Sequence, residues 1–188
     1  MNLKDQIINT FSLSKSDNCL EDIALQAFEV IDDQQNLPCR LLIDGDSGQF
    51  RIENPNKHLL HFLKIDNCIL FAQDGAKCDF AVFNEDELIF VELKKIEQYT
   101  VSSHKKRKTK RTDAYIQLEN TLKMFKKKNI DLSSYQKNKK LFVIASVLDY
   151  NPPVTRMPVA KTKSQQKKLE FEMNYSAILL TGHTYKFT

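Results

Sequence analysis

Two apolar runs separated by four polar residues constrain this chain more than any other feature. They are Cys78-Asp79-Phe80-Ala81-Val82-Phe83 and Leu88-Ile89-Phe90-Val91-Glu92-Leu93-Lys94, joined by Asn84-Glu85-Asp86-Glu87. Short apolar runs bounded by a polar cluster read as two strands and a turn. Closed as a four-residue hairpin loop, the pair sets Phe83 opposite Leu88, Ala81 opposite Phe90 and Asp79 opposite Glu92. Opposed residues on one sheet face lie about 4.5–5.5 Å apart at Cβ. Strand alternation adds Lys94 to the face of Glu92. Two carboxylates and an ammonium then project together from an otherwise apolar sheet. Opposed like charges destabilise a sheet unless something offsets them. A divalent cation held by oxygen ligands would do so.

Asp79 followed by Glu92-Leu93-Lys94 resembles the PD-(D/E)xK nuclease superfamily over residues 78–125. The family's proline is absent, and Cys78 stands in its place. The resemblance implies an α/β fold, a mixed central sheet flanked by helices, with the αβββαβ core called restriction-endonuclease-like. It implies Mg²⁺, or Mn²⁺ in its place, bound by Asp79, Glu92 and the carbonyl of Leu93, with Lys94 orienting or activating the attacking water. Many members carry a glutamine near the start of the helix after the catalytic strand, a place that Gln117 matches. An additional acid often comes from the first helix, where Glu21 and Glu29 both qualify; Asp66 is a further acid without a role. The implied activity is metal-dependent endonuclease hydrolysis of phosphodiester bonds, DNA favoured, in a setting such as restriction or phage defence. The alternative is a catalytically silent subunit of the same fold that binds nucleic acid or a partner protein. A third reading is an interaction protein whose acidic and basic halves meet partner proteins.

The charge distribution supports a polyanionic partner. The net charge is +4, yet residues 1–93 carry 7 basic and 17 acidic side chains (−10) and residues 94–188 carry 21 and 7 (+14). Residues 104–111 hold six basic residues in eight, namely Lys105, Lys106, Arg107, Lys108, Lys110 and Arg111. They read as part of a basic surface loop at about 97–112 that meets phosphates without reading sequence. No base-reading helix or zinc finger is recognisable. Specificity would then come from a homodimer or a larger protein complex.

At 188 residues the chain suits one domain with its own core. Nothing approaches the roughly 20 apolar residues of a membrane span, and the first residues lack the apolar core of a secretory signal. Cys19, Cys39, Cys68 and Cys78 show no zinc spacing, and each has apolar neighbours. They read as buried reduced thiols in a cytoplasmic protein.

Elsewhere, residues 3–11 suggest a short helix. Leu20, Ile23, Ala24, Ala27, Val30 and Ile31 fall at helical spacing, which predicts a helix over 19–31 capped by Ser16 or Asp17. A strand is expected after Pro38. Asp44-Gly45-Asp46-Ser47-Gly48 reads as a turn rather than a calcium loop, lacking the distal glutamate. Residues 58–65 fit helix or strand, and 67–71 a strand. His58 and His61 lack a third metal ligand and read as surface or packing residues. A helix over 113–128, capped by Thr112 or Asp113, leads to a buried strand at 140–148. A loop through Pro152-Pro153 and 161–168 precedes strands at 171–173 and 175–180.

Overall fold

The computed structural model describes residues 1–14, 16–42, 47–96, 103–149 and 161–188. Its centre is a six-stranded mixed sheet. The strands, in spatial order, are β1 (Leu20–Ile23), β5 (Leu60–Lys64), β6 (Phe80–Phe83), β7 (Leu88–Ile96), β8 (Leu141–Asp149) and β9 (Ile178–Thr181). The first four run antiparallel in succession, whereas β8 and β9 continue parallel to β7. A second sheet is ordered β10 (Thr184–Lys186), β4 (Phe50–Glu53), β2 (Ala27–Ile31) and β3 (Arg40–Leu42).

Alternation along the strands divides the core in two. Leu63, Ala81, Phe83, Leu88, Phe90, Val143 and Leu179 face a cluster completed by helices. These are α1 (Leu3–Phe11), α2 (Ser103–Lys127), α3 (Ser133–Lys137) and α4 (Lys161–Tyr175). They contribute Leu3 and Ile7, Leu118 to Phe125, Tyr135, and Phe171 respectively. Phe62, Phe80, Val82, Ile89, Val91 and Leu93 face the other way, against Phe28, Val30, Phe50 and Ile52 of the second sheet. The central sheet is therefore covered by helices on one face and by a second sheet on the other. The expected mixed α/β class holds, and the α1–β5–β6–β7–α2–β8 succession runs through it.

The hairpin register is the one the sequence implies: Phe83 pairs with Leu88, Ala81 with Phe90 and Phe80 with Val91. Strand β8 follows α2 and lies parallel to β7, so the strand–helix–strand unit is present. Helix α1 is capped by Asn2, whose side chain accepts from the Asp5 N–H.

Several expectations are overturned. Residues 19–31 form β1 and β2, one in each sheet, with a crossing at residues 24–26. Their apolar residues mimic a helix stripe because two strands facing different layers sum to a similar spacing. Asp17 accepts from the Ser14 N–H rather than capping a helix. Residues 67–71 form a turn rather than a strand; the amides of Ile69 and Leu70 donate to the Ile65 carbonyl. Helix α2 begins at Ser103, so the basic residues from 103 onward are helical rather than in a loop, and Thr112 lies within the helix, bonded to the Lys108 carbonyl. Residues 97–102 and the side chains of Lys105 and Lys106 lie outside the described residues, as do Pro152-Pro153 and most of the 44–48 turn. Residues 161–175 form α4 in place of a loop and a strand. Cys19 and Cys68 form a disulfide, so two of the four cysteines are not reduced thiols; Cys39 and Cys78 are free and buried. The Lys64 N–H donates to the Cys19 carbonyl and the Cys68 N–H to the Ile65 carbonyl, so the two cysteines flank the adjoining ends of β1 and β5. Among the described residues no helix is long and apolar enough to cross a membrane.

Candidate metal and phosphoryl-transfer site

Asp79 sits one residue before β6, and both of its backbone groups are engaged. Its N–H donates to the Val91 carbonyl at 3.2 Å, extending the hairpin ladder. Its carbonyl accepts from Ile65 N at 2.8 Å and from the Cys39 thiol at 3.8 Å. Helix α2 fixes the approach: Gln117 Nε2 donates to the Lys77 carbonyl at 2.9 Å, and the Thr121 hydroxyl accepts from Cys78 N at 2.8 Å. The carboxylate Oδ2 accepts from Leu93 N at 2.5 Å, which ties Asp79 to the strand that carries Glu92 and Lys94.

Glu92 is 0% exposed and Asp79 6% exposed. Glu92 Oε1 forms an ion pair with Lys94 Nζ, while Oε2 has no hydrogen-bond partner among the described residues. Buried, unpartnered carboxylate oxygens are costly. Burial pushes the Glu92 carboxyl well above its ordinary range, with Asp79 adding to the effect and Lys94 opposing it. Burial likewise raises Asp79 to about 7, against the Leu93 N–H that favours its charge, with Asp32 and Asp66 contributing further. Burial opposes the charge on Lys94, but Glu92, Asp79 and Asp113 together outweigh it and hold its ammonium above the lysine range.

The two acids suit a hard cation: Glu92 Oε2 has no hydrogen-bond partner among the described residues, and Lys94 offsets the charge of only one of the two carboxylates. Asp79, Glu92 and the Leu93 carbonyl, from adjoining strand positions, would hold it. Among the described residues no third Asp, Glu, His or Cys side chain converges with these two on one metal position.

The other sequence candidates fall in different places. Gln117 contacts the backbone that leads into Asp79. Glu21 and Glu29 lie on strands, not on a first helix; Glu21 pairs with Lys64, and Glu29 with Arg51 and the Gly48 N–H. Asp66 pairs with Lys77 at 3.0 Å. Arg107, Lys108, Lys110 and Arg111 lie on the first turns of α2, the helix that supports Asp79. His61 bonds Asp22 at 2.7 Å and packs its partly buried ring against Phe83, as a packing residue. Thr121 was missed. It lies one turn after Gln117 on the same face, a spacing that would have found it. A cleft of about 380 Å³ between α2, α3 and α4 shares no lining residue with this cluster.

No protein-family model, curated protein or solved structure matches this chain.

Proposed function

We propose that the protein is a Mg²⁺-dependent nuclease of the PD-(D/E)xK type, hydrolysing phosphodiester bonds in nucleic acid, with DNA the favoured substrate. The observation that carries this reading is the joining of Asp79 to the Glu92-Leu93-Lys94 segment through the Leu93 N–H, with the Glu92 Oε2 buried and unpartnered beside it. The αβββαβ succession and the basic first turns of α2 are consistent with it.

A bound divalent ion supplies Lewis-acid neutralisation of charge on the scissile phosphate. Asp79 and Glu92 would hold it, with the hairpin register setting the two acids opposite one another and the α2 hydrogen bonds to Lys77 and Cys78 steadying the approach to Asp79. Lys94, paired with Glu92, would lie beside the attacking water, where an ammonium stabilises developing negative charge. The cationic turns of α2 attract the phosphate backbone without reading sequence.

The test is incubation of the purified chain with plasmid DNA, single-stranded DNA and RNA, each with Mg²⁺, Mn²⁺ or EDTA. Cleavage that needs the ion and disappears in Asp79→Ala and Lys94→Ala is the expected result. Salt-sensitive binding without cleavage would favour the silent subunit, and absence of both would favour a protein–protein role.

A further inference from the structure

The turn after β5 holds Asp79, and a disulfide closes that turn. Ile65 N donates to the Asp79 carbonyl at 2.8 Å, and Asp66 N to the same oxygen at 3.3 Å. The Asp66 carboxylate pairs with Lys77, two residues before Asp79, at 3.0 Å. The amides of Cys68, Ile69 and Leu70 in turn converge on the Ile65 carbonyl at 3.4, 3.2 and 3.0 Å. Asn67 reverses the chain at φ 57°, in the left-handed region that asparagine tolerates. Two hydrogen-bonded steps therefore connect Cys68 to Asp79, through Ile65. The Asp79 N–H belongs to the hairpin, so the hairpin sets its direction on one side and this turn on the other.

Cys68 is bonded to Cys19, which directly precedes β1, the edge strand of the central sheet. The Cys19 carbonyl accepts from Lys64 N at 2.8 Å, one residue before Ile65. Cys19 thus holds the turn at its entry by a hydrogen bond and at its far side by the disulfide. The two sulfurs are unequally placed: Cys19 is buried, whereas Cys68 is only partly so. A thiolate arriving from solvent meets Cys68 first. Ile65, Ile69 and Leu70 stay anchored in the core, so the fold does not depend on the bond alone.

We propose that the Cys19–Cys68 disulfide is a redox-operated lock on the Asp79 position, closed when oxidised and released by a dithiol reductant. This rests on the metal-site reading above. A thiolate of the reductant attacks Cys68 Sγ, the bond to Cys19 breaks, and Cys19 leaves as a thiolate that takes up a proton. The reductant's second thiol then attacks the mixed disulfide, forms the reductant's own disulfide and releases Cys68 as a thiol. Two electrons and two protons pass to the protein. The released turn opens more readily, and Asp79 loses the steady grip of Ile65 and Asp66 on its carbonyl. Cation binding weakens as a result.

The experiment compares three forms of the full chain: oxidised, reduced with dithiothreitol that is then removed without air, and Cys68→Ser. Each is read by calorimetric titration with Mn²⁺, well below its unfolding midpoint, and by amide hydrogen exchange. Reduction is expected to weaken Mn²⁺ binding about tenfold, the lower end of what loss of an outer partner costs at a metal site. Exchange at Ile65 and Leu70 is expected to rise by a larger factor than in β6 and β7, whose amides report unfolding of the whole core. Cys68→Ser is expected to match the reduced form and to ignore dithiothreitol. Unchanged affinity after reduction would overturn the inference and leave the metal site standing. A rise in exchange by one factor throughout would overturn it too, since the bond would then stabilise only the fold as a whole. So would a response of Cys68→Ser to dithiothreitol, which would trace the effect to Cys39 or Cys78. Absence of Mn²⁺ binding by the oxidised chain would overturn both this inference and the metal-site reading.

Discussion

Two buried glutamates stand five residues apart on the same hairpin and have opposite surroundings. Glu87, 2% exposed, closes the turn before β7. Its Oε1 accepts from Lys140 Nζ and from the Thr188 hydroxyl, and its Oε2 from the Tyr185 hydroxyl. Burial alone would raise its carboxyl, but these donors more than offset it and hold Glu87 below the usual range. Glu92, farther along β7, has among the described residues only Lys94 as partner and an unpartnered Oε2, and its carboxyl is raised. One strand thus carries a glutamate whose charge is satisfied internally and one whose charge is not. The first fastens β10 and β8 to the hairpin. The second makes sense as a group awaiting an external partner. Burial of a charge therefore does not by itself mark a functional residue; the completeness of its hydrogen bonding separates the two cases.

The comparison breaks or sharpens on four measurements. Glu92→Gln should lower metal-dependent cleavage about 1000-fold, roughly 4 kcal/mol of transition-state stabilisation. Its unfolding free energy in EDTA should stay within about 1 kcal/mol of wild type, because relief of charge burial offsets the lost Lys94 pair. A large destabilisation would make Glu92 a structural residue like Glu87. Glu87→Gln should do the reverse, costing about 3 kcal/mol in urea unfolding with cleavage per folded molecule unchanged. A stability loss below about 0.5 kcal/mol would erase the contrast.

The pH dependences should also run in opposite directions. Asp79 has a folded value of about 7 against an ordinary 3.8, so its folded state holds the proton more tightly. Its contribution is complete below about pH 4 and is lost as pH rises to about 7, with a slope of up to about 1.4 kcal/mol per pH unit. Glu87, held below its ordinary value, contributes stability above that value and loses it as pH falls. Urea unfolding in EDTA from pH 4 to 8 should show the alkaline decline in wild type and a shallower one in Asp79→Asn, where the raised carboxyl of Glu92 still contributes. An unchanged decline in that variant would remove Asp79 as its source. The smallest effect is expected at the α2 supports: Thr121→Val should cost about 1 kcal/mol through the lost Cys78 contact. A neutral result would mean that α2 packing alone positions Asp79.

The hairpin was legible because its information is local. Phe80 to Phe83 and Leu88 to Val91 are apolar without a break, the turn length sets the register, and Asp79 and Glu92 follow from it. Strand β8 was legible for the same reason. Of the second sheet only β3, the strand expected from Pro38, was legible; β2 and β4 are five and four residues long and are stabilised by partners distant in sequence, such as Phe187 beside Phe50 and Ile52. Helix α4 was hidden by its composition: Lys161 to Lys168 carries no apolar stripe, and Phe171 supplies the anchor in the core. The Cys19–Cys68 pair depends on the same long-range folding, which no spacing encodes.

The Cys19–Cys68 disulfide joins residues 49 apart in sequence. The covalent ring encloses β1 to β5, and with them three of the four strands of the second sheet. Its consequence is mechanical. A chain pulled from its two ends cannot extend the ring, which withholds roughly 160 Å of contour at about 3.3 Å per residue. Tension bypasses β2, β3 and β4 and reaches their sheet through β10, which lies outside the ring and pairs with β4. A single-molecule stretching trace should therefore lengthen by that amount when the disulfide is reduced.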